Sequence, residues 1–272
     1  MVLTGRGHNG RIMSKVKAKK HLGQHFLTDR NIAGKIVDSL IEKTDVVLEI
    51  GPGMGVLTGF LYEKFGDNLH LTEIDAESVK YLYEHFPNLS KNISESDFLK
   101  EDLNKRFTRP FSIIGNFPYN ISSQIFFKVL DHRNEIPQVV CMIQKEVAER
   151  IATGPGSKAY GILSVLLQAF YDIEYLFTVN ENVFTPPPKV KSAVIRLIRN
   201  DREALSCNEK LFFRVVKATF LHRRKTIRNT IKIIPHNFEA IAGHELMGKR
   251  PEQLSVEQFE ELTLLIQNNP PA

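Results

Sequence analysis

"VVLEIGPGMGVLTGFLYEKFG", Val46 to Gly66, is the stretch on which the fold turns. Its apolar first residues read as a buried strand. Gly51, Gly53 and Gly55 then interrupt it, and from Val56 apolar side chains recur at helical spacing until Gly66. Strand, glycine turn and helix form the opening unit of an open α/β sheet, in which glycine lets the backbone turn tightly and approach a ligand. Dinucleotide-binding folds share such a turn, and a tight packing turn is the plainer alternative. The lysine of a triphosphate-binding loop is absent. Glu49, near the strand's end, suits a ligand that carries a cationic amino group.

Outward from this unit the alternation continues to about Val179. "NLHLTEID" reads as a second strand and "AESVKYLYEHF" as a second helix, and "NISESD", "FSIIGN" and "QVVCMIQ" read as three more strands. Strands alternating with helices predict an α/β fold with a parallel sheet. "VFTPPPKVKSAVIRLIR" reads as a proline-stiffened turn and a further strand. From Asn208 onward helical spacing dominates, with breaks near Pro235 and at Arg250-Pro251.

Acids stand just past successive strands. Glu73 in "TEID" falls where a carboxylate accepts the two hydroxyls of a ribose, a geometry that also serves NAD. Asp75 fits a helix N-cap better. Asp97 in "ESDFL" suits the exocyclic amino group of an adenine, although alone it reads as a capping or loop acid. Together these acids would line the crevice at the strand ends, where α/β sheets bind ligands.

"IIGNFPYNISSQIFF", Ile113 to Phe127, places an amide, a rigid turn and an aromatic ring at a strand tip. Pro118 removes a donor and keeps Phe117 out of the helical region. The N6 of an adenine is a poor nucleophile, because its lone pair is delocalised into the ring. Acceptors on both N6 hydrogens would favour a pyramidal nitrogen. The Asn116 side-chain oxygen and the Phe117 carbonyl can supply them, while Tyr119 offers a face for the base. An Asn-Pro turn with a core tyrosine is the alternative reading.

"GQHFL", "EIGPGMG", "TEID", "SDFL", "NFPYNIS", "FTPPPKVKSAVIRL" and "RRKTIRN" together resemble the ribosomal RNA adenine dimethyltransferase family, from about Lys19 to the C-terminus. More narrowly, they resemble its bacterial branch, which dimethylates two adjacent adenosines near the 3′ end of small-subunit ribosomal RNA. The resemblance implies a Rossmann-like α/β methyltransferase domain over residues 19–200 and a small helical RNA-binding domain over 201–272, after a basic, disordered extension over 1–18. It implies S-adenosylmethionine as methyl donor, with His25, Leu27, Gly51, Glu73, Asp97 and Asn116 in contact with it. Asn often stands in the family where this chain has His25, and "NLPY" is commoner than "NFPY". Asn116, Pro118 and Tyr119 would form the catalytic loop, and Phe184 would close on the target base opposite Tyr119. A buried anchor for the proline loop is the equal alternative for Phe184.

The chain has 272 residues, 42% of them hydrophobic, and a net charge of +5. That length sustains a sizeable core and more than one domain. The basic excess fits an anionic partner. Met1 to Thr28 carries no acid, and Lys15, Lys17, Lys19 and Lys20 crowd there. Arg214 to Lys232 is again acid-free and holds Arg223, Arg224, Lys225 and Arg228. On one helix Arg224, Arg228 and Lys232 would share a stripe beside Ile227, Ile231 and Ile234. A charge run is usually a solvated face, but beside an adenine-type pocket it points to RNA phosphates. The two cysteines, Cys141 and Cys207, have no metal-type spacing, so no metal is expected and a reducing cytoplasm is. No apolar run reaches the roughly 18 residues that span a bilayer, and no apolar segment follows the basic N-terminus, so neither membrane nor signal peptide is expected.

The expected partner is small-subunit ribosomal RNA in an assembling small ribosomal subunit, met by a monomer. Rival readings are a large-subunit RNA methylase of the antibiotic-resistance type, a DNA adenine methylase, and a non-catalytic RNA-binding assembly factor on the same fold.

Overall fold

The computed structural model describes residues 16–41 and 44–271. Most of the expected extension over 1–18, Lys15 included, lies outside the described residues. The described strands are β1 (Phe26–Leu27), β2 (Val46–Ile50), β3 (Leu69–Glu73), β4 (Ile93–Glu95), β5 (Phe111–Asn116), β6 (Gln138–Gln144), β7 (Tyr171–Val179), β8 (Phe184–Thr185) and β9 (Ser192–Arg199). Seven form one sheet in the order β4-β3-β2-β5-β6-β9-β7, and β1 and β8 form a separate ribbon.

β2 through β6 run parallel, as alternation with helices predicts. β2 is buried at every position, which its Val-Val-Leu-Glu-Ile sequence allows in a strand covered on both faces. The expectation of a parallel sheet fails at one edge, where β9 is antiparallel to both β6 and β7. A parallel return from β7 would need a helical crossover, and the short proline-containing connection between Val179 and Ser192 has none. β7 itself has no clean alternation. It is the edge strand, and Asp172 is exposed there.

Pairing on β2 reverses direction: β3 lies on one side and β5, reached later in the chain, on the other. That reversal opens a crevice at the C-terminal ends of β2 and β5, the usual ligand position in such sheets. The ribbon pairs Phe26 with Thr185 and Leu27 with Phe184, which lays the N-terminal segment beside the proline loop.

The C-terminal region is helical as expected, with helices Glu209–Leu221, Ile227–Thr230, Phe238–Ile241 and Val256–Asn268. Asn208 caps the first through Leu211 N–H at 3.0 Å, and Ser255 caps the last. Phe212, Val216, Phe259 and Leu262 share one apolar cluster with Val139 and Cys141 of β6, so the core runs unbroken across the expected boundary at 200/201.

The single helical stripe of Arg224, Arg228 and Lys232 is not formed. The helix stops at Leu221, a turn closed by Lys225 N–H on the His222 carbonyl follows, and a four-residue helix begins at Ile227. The chain breaks there because Ile227 and Ile231 are drawn fully into the core and the Ile227 N–H bonds the Lys249 carbonyl at 2.8 Å.

Candidate functional site

A cavity of about 310 Å³ opens at the crevice, and its walls include Gly51, Gly53, Glu73, Asp97, Asn116 and Tyr119. The strand ends thus bring together residues that are far apart in sequence. The cavity lies in the size range of small-molecule sites.

The glycine turn forms the floor. Gly51, Gly53 and Gly55 have φ of 66°, 55° and 75°, all in the left-handed region. At Gly53 a Cβ would come within 2.8 Å of the Phe26 ring, so only glycine lets the N-terminal segment close over the turn. Gly55 faces the other way: a Cβ there would strike the Phe86 ring at 2.4 Å, and Gly55 does not line the cavity. It is a packing glycine at the start of the helix Val56–Phe65.

Glu49 also lies off the cavity wall. It is 1% exposed and accepts a 2.6 Å bond from the Thr58 hydroxyl. Burial, with the nearby Glu73 charge adding to it and the Thr58 bond opposing it, pushes its carboxyl up to about 8. The shift favours the protonated carboxyl, a weaker partner for an ammonium than a carboxylate.

Glu73 does line the cavity. Its Oε2 accepts the Gly53 N–H at 3.0 Å, and its Oε1 accepts the N–H groups of Ile74 and Asp75 at 2.9 Å each. Burial raises its pKa, and these backbone donors oppose the rise. The three bonds fix the carboxylate at the end of β3 and leave acceptor capacity on Oε2 toward the cavity. Asp75 caps the helix Ala76–His85, as expected, yet is buried. It pairs with Lys19 and accepts from Gln24 Nε2 at 3.1 Å. Burial raises the Asp75 carboxyl, but the bonds from Lys19, Gln24 and Ser78 outweigh it and hold the group below its ordinary value.

Asp97 has the capping role expected of it and also reaches the cavity. It caps the short turn Phe98–Lys100 through Leu99 N–H at 3.0 Å, and it lines the cavity. Between Glu73 and Asp97 the wall includes Ile74, which is 51% exposed. Sequence reading passed over Ile74. Its signal was an apolar residue set between two acids at a strand end, where a loop side chain is ordinarily polar.

At the far wall Asn116 ends β5. Its Nδ2 donates to the His25 carbonyl at 2.9 Å, which turns Oδ1 away as a free acceptor. The Phe117 ring is 1% exposed and packs edge-on against Phe126, so this residue offers only its backbone to the cavity. The Phe-for-Leu exchange in "NFPY" therefore changes the core and not the wall. The Tyr119 hydroxyl lies 2.6 Å from Ser192 Oγ, and its ring stacks on the His25 imidazole at 5.6 Å. The His25 Nδ1 lies 2.8 Å from the Pro186 carbonyl.

Leu27 and Phe184 stand apart from the cavity. Both are buried in the second apolar cluster and pair across the ribbon. Phe184 is 3% exposed, the burial that an anchor for the proline loop requires. Phe26, which sequence reading left out, is on the wall instead.

The basic residues divide. Arg223 turns back onto the carbonyls of Lys158 and Tyr160. Arg228 bonds the Ala242 carbonyl at 2.6 Å and stacks over Phe238. Arg224 and Lys225 are exposed at the turn. No helix among the described residues is long and apolar enough to cross a membrane.

The sequence model of the family described as ribosomal RNA adenine dimethylase matches residues 15–268. The protein of Parabacteroides distasonis named Ribosomal RNA small subunit methyltransferase A is 60% identical, over 94% of this chain and 97% of its own length. Its namesake from Cytophaga hutchinsonii is 58% identical, over 93% and 99%. Among solved structures, a dimethyladenosine transferase from Plasmodium falciparum superposes with a TM-score of 0.74 at 26% identity, over 89% of this chain and 97% of the other. The 23S rRNA methyltransferase ErmE does so at 0.66 with 25% identity, over 89% and 99%.

Proposed function

The chain belongs to the ribosomal RNA adenine dimethylase family, and from that premise we propose that it transfers methyl groups from S-adenosylmethionine to N6 of two adjacent adenosines near the 3′ end of small-subunit ribosomal RNA. The products are N6,N6-dimethyladenosines, made as the small subunit assembles in the cytoplasm, with the protein acting as a monomer. The observation that carries the reading is one cavity that is lined both by Glu73, Ile74 and Asp97 and by Asn116, Phe117 and Tyr119.

The residues fit the donor. Glu73, already oriented by three backbone donors, accepts from the ribose hydroxyls. Ile74 gives the adenine an apolar face, and Asp97 accepts from its exocyclic amine. The glycine turn keeps side chains out of the way at Gly51 and Gly53. When bound, S-adenosylmethionine supplies an electrophilic methyl group on a sulfonium.

On the other wall Asn116 Oδ1 and the Phe117 carbonyl accept the N6 hydrogens of the target adenine. The nitrogen becomes pyramidal, and its lone pair is freed for attack. After transfer the nitrogen is cationic and acidic, so its proton leaves to water without a strong base. None of the nine histidines is needed for that step. Pro118 stiffens the loop, and Tyr119, held by Ser192, gives the extruded base a stacking face. Arg224 and Lys225, with Arg228, meet RNA phosphates and position the target.

Small-subunit RNA is favoured over large-subunit RNA because the relatives at 58–60% identity carry the small-subunit name, whereas the 23S enzyme shares 25%. The test is methylation in vitro, with labelled S-adenosylmethionine and, in parallel reactions, small and large subunits from a strain lacking this modification. Label in N6,N6-dimethyladenosine after nuclease digestion is expected. Label only in large-subunit RNA, or in neither, would overturn the reading.

A further inference from the structure

The turn that carries Asp97 is held from two sides by half-buried cations. On one side Arg106 binds the Glu101 carboxylate at 2.5 Å and the Leu71 carbonyl at 3.0 Å, which pins the segment to β3. On the other side a single ammonium does the work. Lys128 Nζ donates to the backbone carbonyls of both Phe98 and Glu101, the two ends of the turn, and lies 4.8 Å from the centre of the Phe98 ring. The acids that face it are Glu101, Asp97 and Asp102. Its helix, Ser122–Asp131, starts directly after the Asn116–Tyr119 loop, and Ser122 Oγ donates to the Tyr119 carbonyl at 3.3 Å.

We propose that Lys128 is a positioning residue for cofactor recognition: by holding the carbonyls of Phe98 and Glu101 it sets the Asp97 carboxylate against the adenine amine of S-adenosylmethionine, and it ties that contact to the helix that follows the catalytic loop. This role rests on the assignment of Asp97 to the cofactor adenine. Its physical basis is the geometry of donors. A backbone carbonyl cannot move its turn by itself, and water offers two separate carbonyls no fixed separation. An ammonium bonded to both does, and bonds to a charged donor are about twice as strong as neutral ones. Removing Lys128 leaves the Asp97 cap intact but frees the turn to shift as a unit.

The test measures binding of S-adenosylhomocysteine and of its inosine counterpart, which has no exocyclic amine, by calorimetry. Wild type should prefer the adenine ligand, and Asp97→Ala should lose that preference. Lys128→Met should weaken the adenine ligand by about tenfold or more, as expected for lost bonds to a charged group, while the inosine ligand changes little. Lys128→Arg, which keeps a cation in reach of both carbonyls, should restore the preference. In turnover, Lys128→Met should raise KM for the donor and leave kcat at saturation unchanged. If Asp97→Ala loses the preference and Lys128→Met keeps it, the role of Lys128 is overturned and the Asp97 assignment stands. An equal loss for both ligands in Lys128→Met overturns it too, as damage without selectivity. A preference that survives Asp97→Ala overturns the assignment and the proposal with it. Should Lys128→Met fail to fold, Lys128→Leu, which also lacks a donor, is read in the same way.

Discussion

Asn116 donates its side-chain amide to the backbone carbonyl of His25 at 2.9 Å. This bond joins the tip of β5 to the N-terminal segment, 91 residues earlier in the chain. It also decides which end of the amide faces the cavity, since only the nitrogen can serve a carbonyl. The oxygen is left for the substrate. The bond uses only the backbone of position 25, so an Asn-to-His difference there leaves the orientation of Asn116 intact.

Glu73→Gln should weaken binding of S-adenosylmethionine by about 1.5–3 kcal/mol, the usual cost of removing a charged acceptor. The amide also turns a donor toward one of the three backbone N–H groups that hold the carboxylate. Calorimetry on the folded variant reads the effect. Unchanged affinity would take Glu73 out of the site.

Glu49 makes stability depend on pH. Its carboxyl is pushed from 4.5 to about 8 in the folded protein, chiefly by burial. The folded state therefore keeps a proton that the unfolded chain has released, and the stabilising contribution of this group is complete below 4.5 and lost as pH rises through about 8. Glu49→Gln, which cannot ionise, should flatten that decline. Melting temperatures of both proteins between pH 5 and pH 9, a range spanning roughly the window of the shift, should converge or cross toward the alkaline end. Parallel curves would show that Glu49 titrates normally.

Phe184→Ala should act on the fold. A ring that is 3% exposed and packed from the β1–β8 ribbon into the second apolar cluster costs about 3–5 kcal/mol to remove. Chemical denaturation should show that loss, and with the ribbon loosened the N-terminal segment should become more open to protease. A variant of native stability that has lost only methyl transfer would return Phe184 to the target base.

How much of this was legible in the chain depends on whether a feature is local. The unit from Val46 to Phe65 announces itself, because a doubly buried strand, a glycine turn and a helix each leave a short-range pattern. Glu73, Asp97 and Asn116 are legible for a related reason: each stands at or just past the end of a readable strand. The β1–β8 ribbon is not, since two-residue strands have no period and their partners are 157 to 159 residues apart, from Leu27–Phe184 to Phe26–Thr185. The break after Leu221 has no proline or glycine to mark it. It follows from the burial of Ile227 and Ile231, a tertiary demand that overrides helical spacing. Gly55 looked like its two neighbours in sequence, and only the Phe86 ring beside it shows that it packs instead of lining the cavity.

Arg224 and Lys225 should carry more of the RNA affinity than Arg223. The first two are exposed, whereas Arg223 is bonded to two carbonyls of the 158–160 segment. Arg224→Ala with Lys225→Ala should reduce the slope of log affinity against log salt by roughly 0.7–0.9 for each lost phosphate contact. Arg223→Ala should lower stability and leave the slope alone. Binding to small subunits across a salt series separates them, and an unaltered slope in the double variant would assign this turn to solvent.

The central claim is that Asn116 presents an acceptor to the N6 of ribosomal adenosines. It is tested most directly by mass spectrometry of small-subunit RNA from cells that lack the native protein and carry either wild type or Asn116→Ala. Wild type should restore two adjacent N6,N6-dimethyladenosines near the 3′ end. Asn116→Ala, folded and expressed to the same level, should leave both adenosines essentially unmodified, because loss of such a group costs about 10²–10³ in rate. Full dimethylation by Asn116→Ala, or its absence with wild type, would contradict the account.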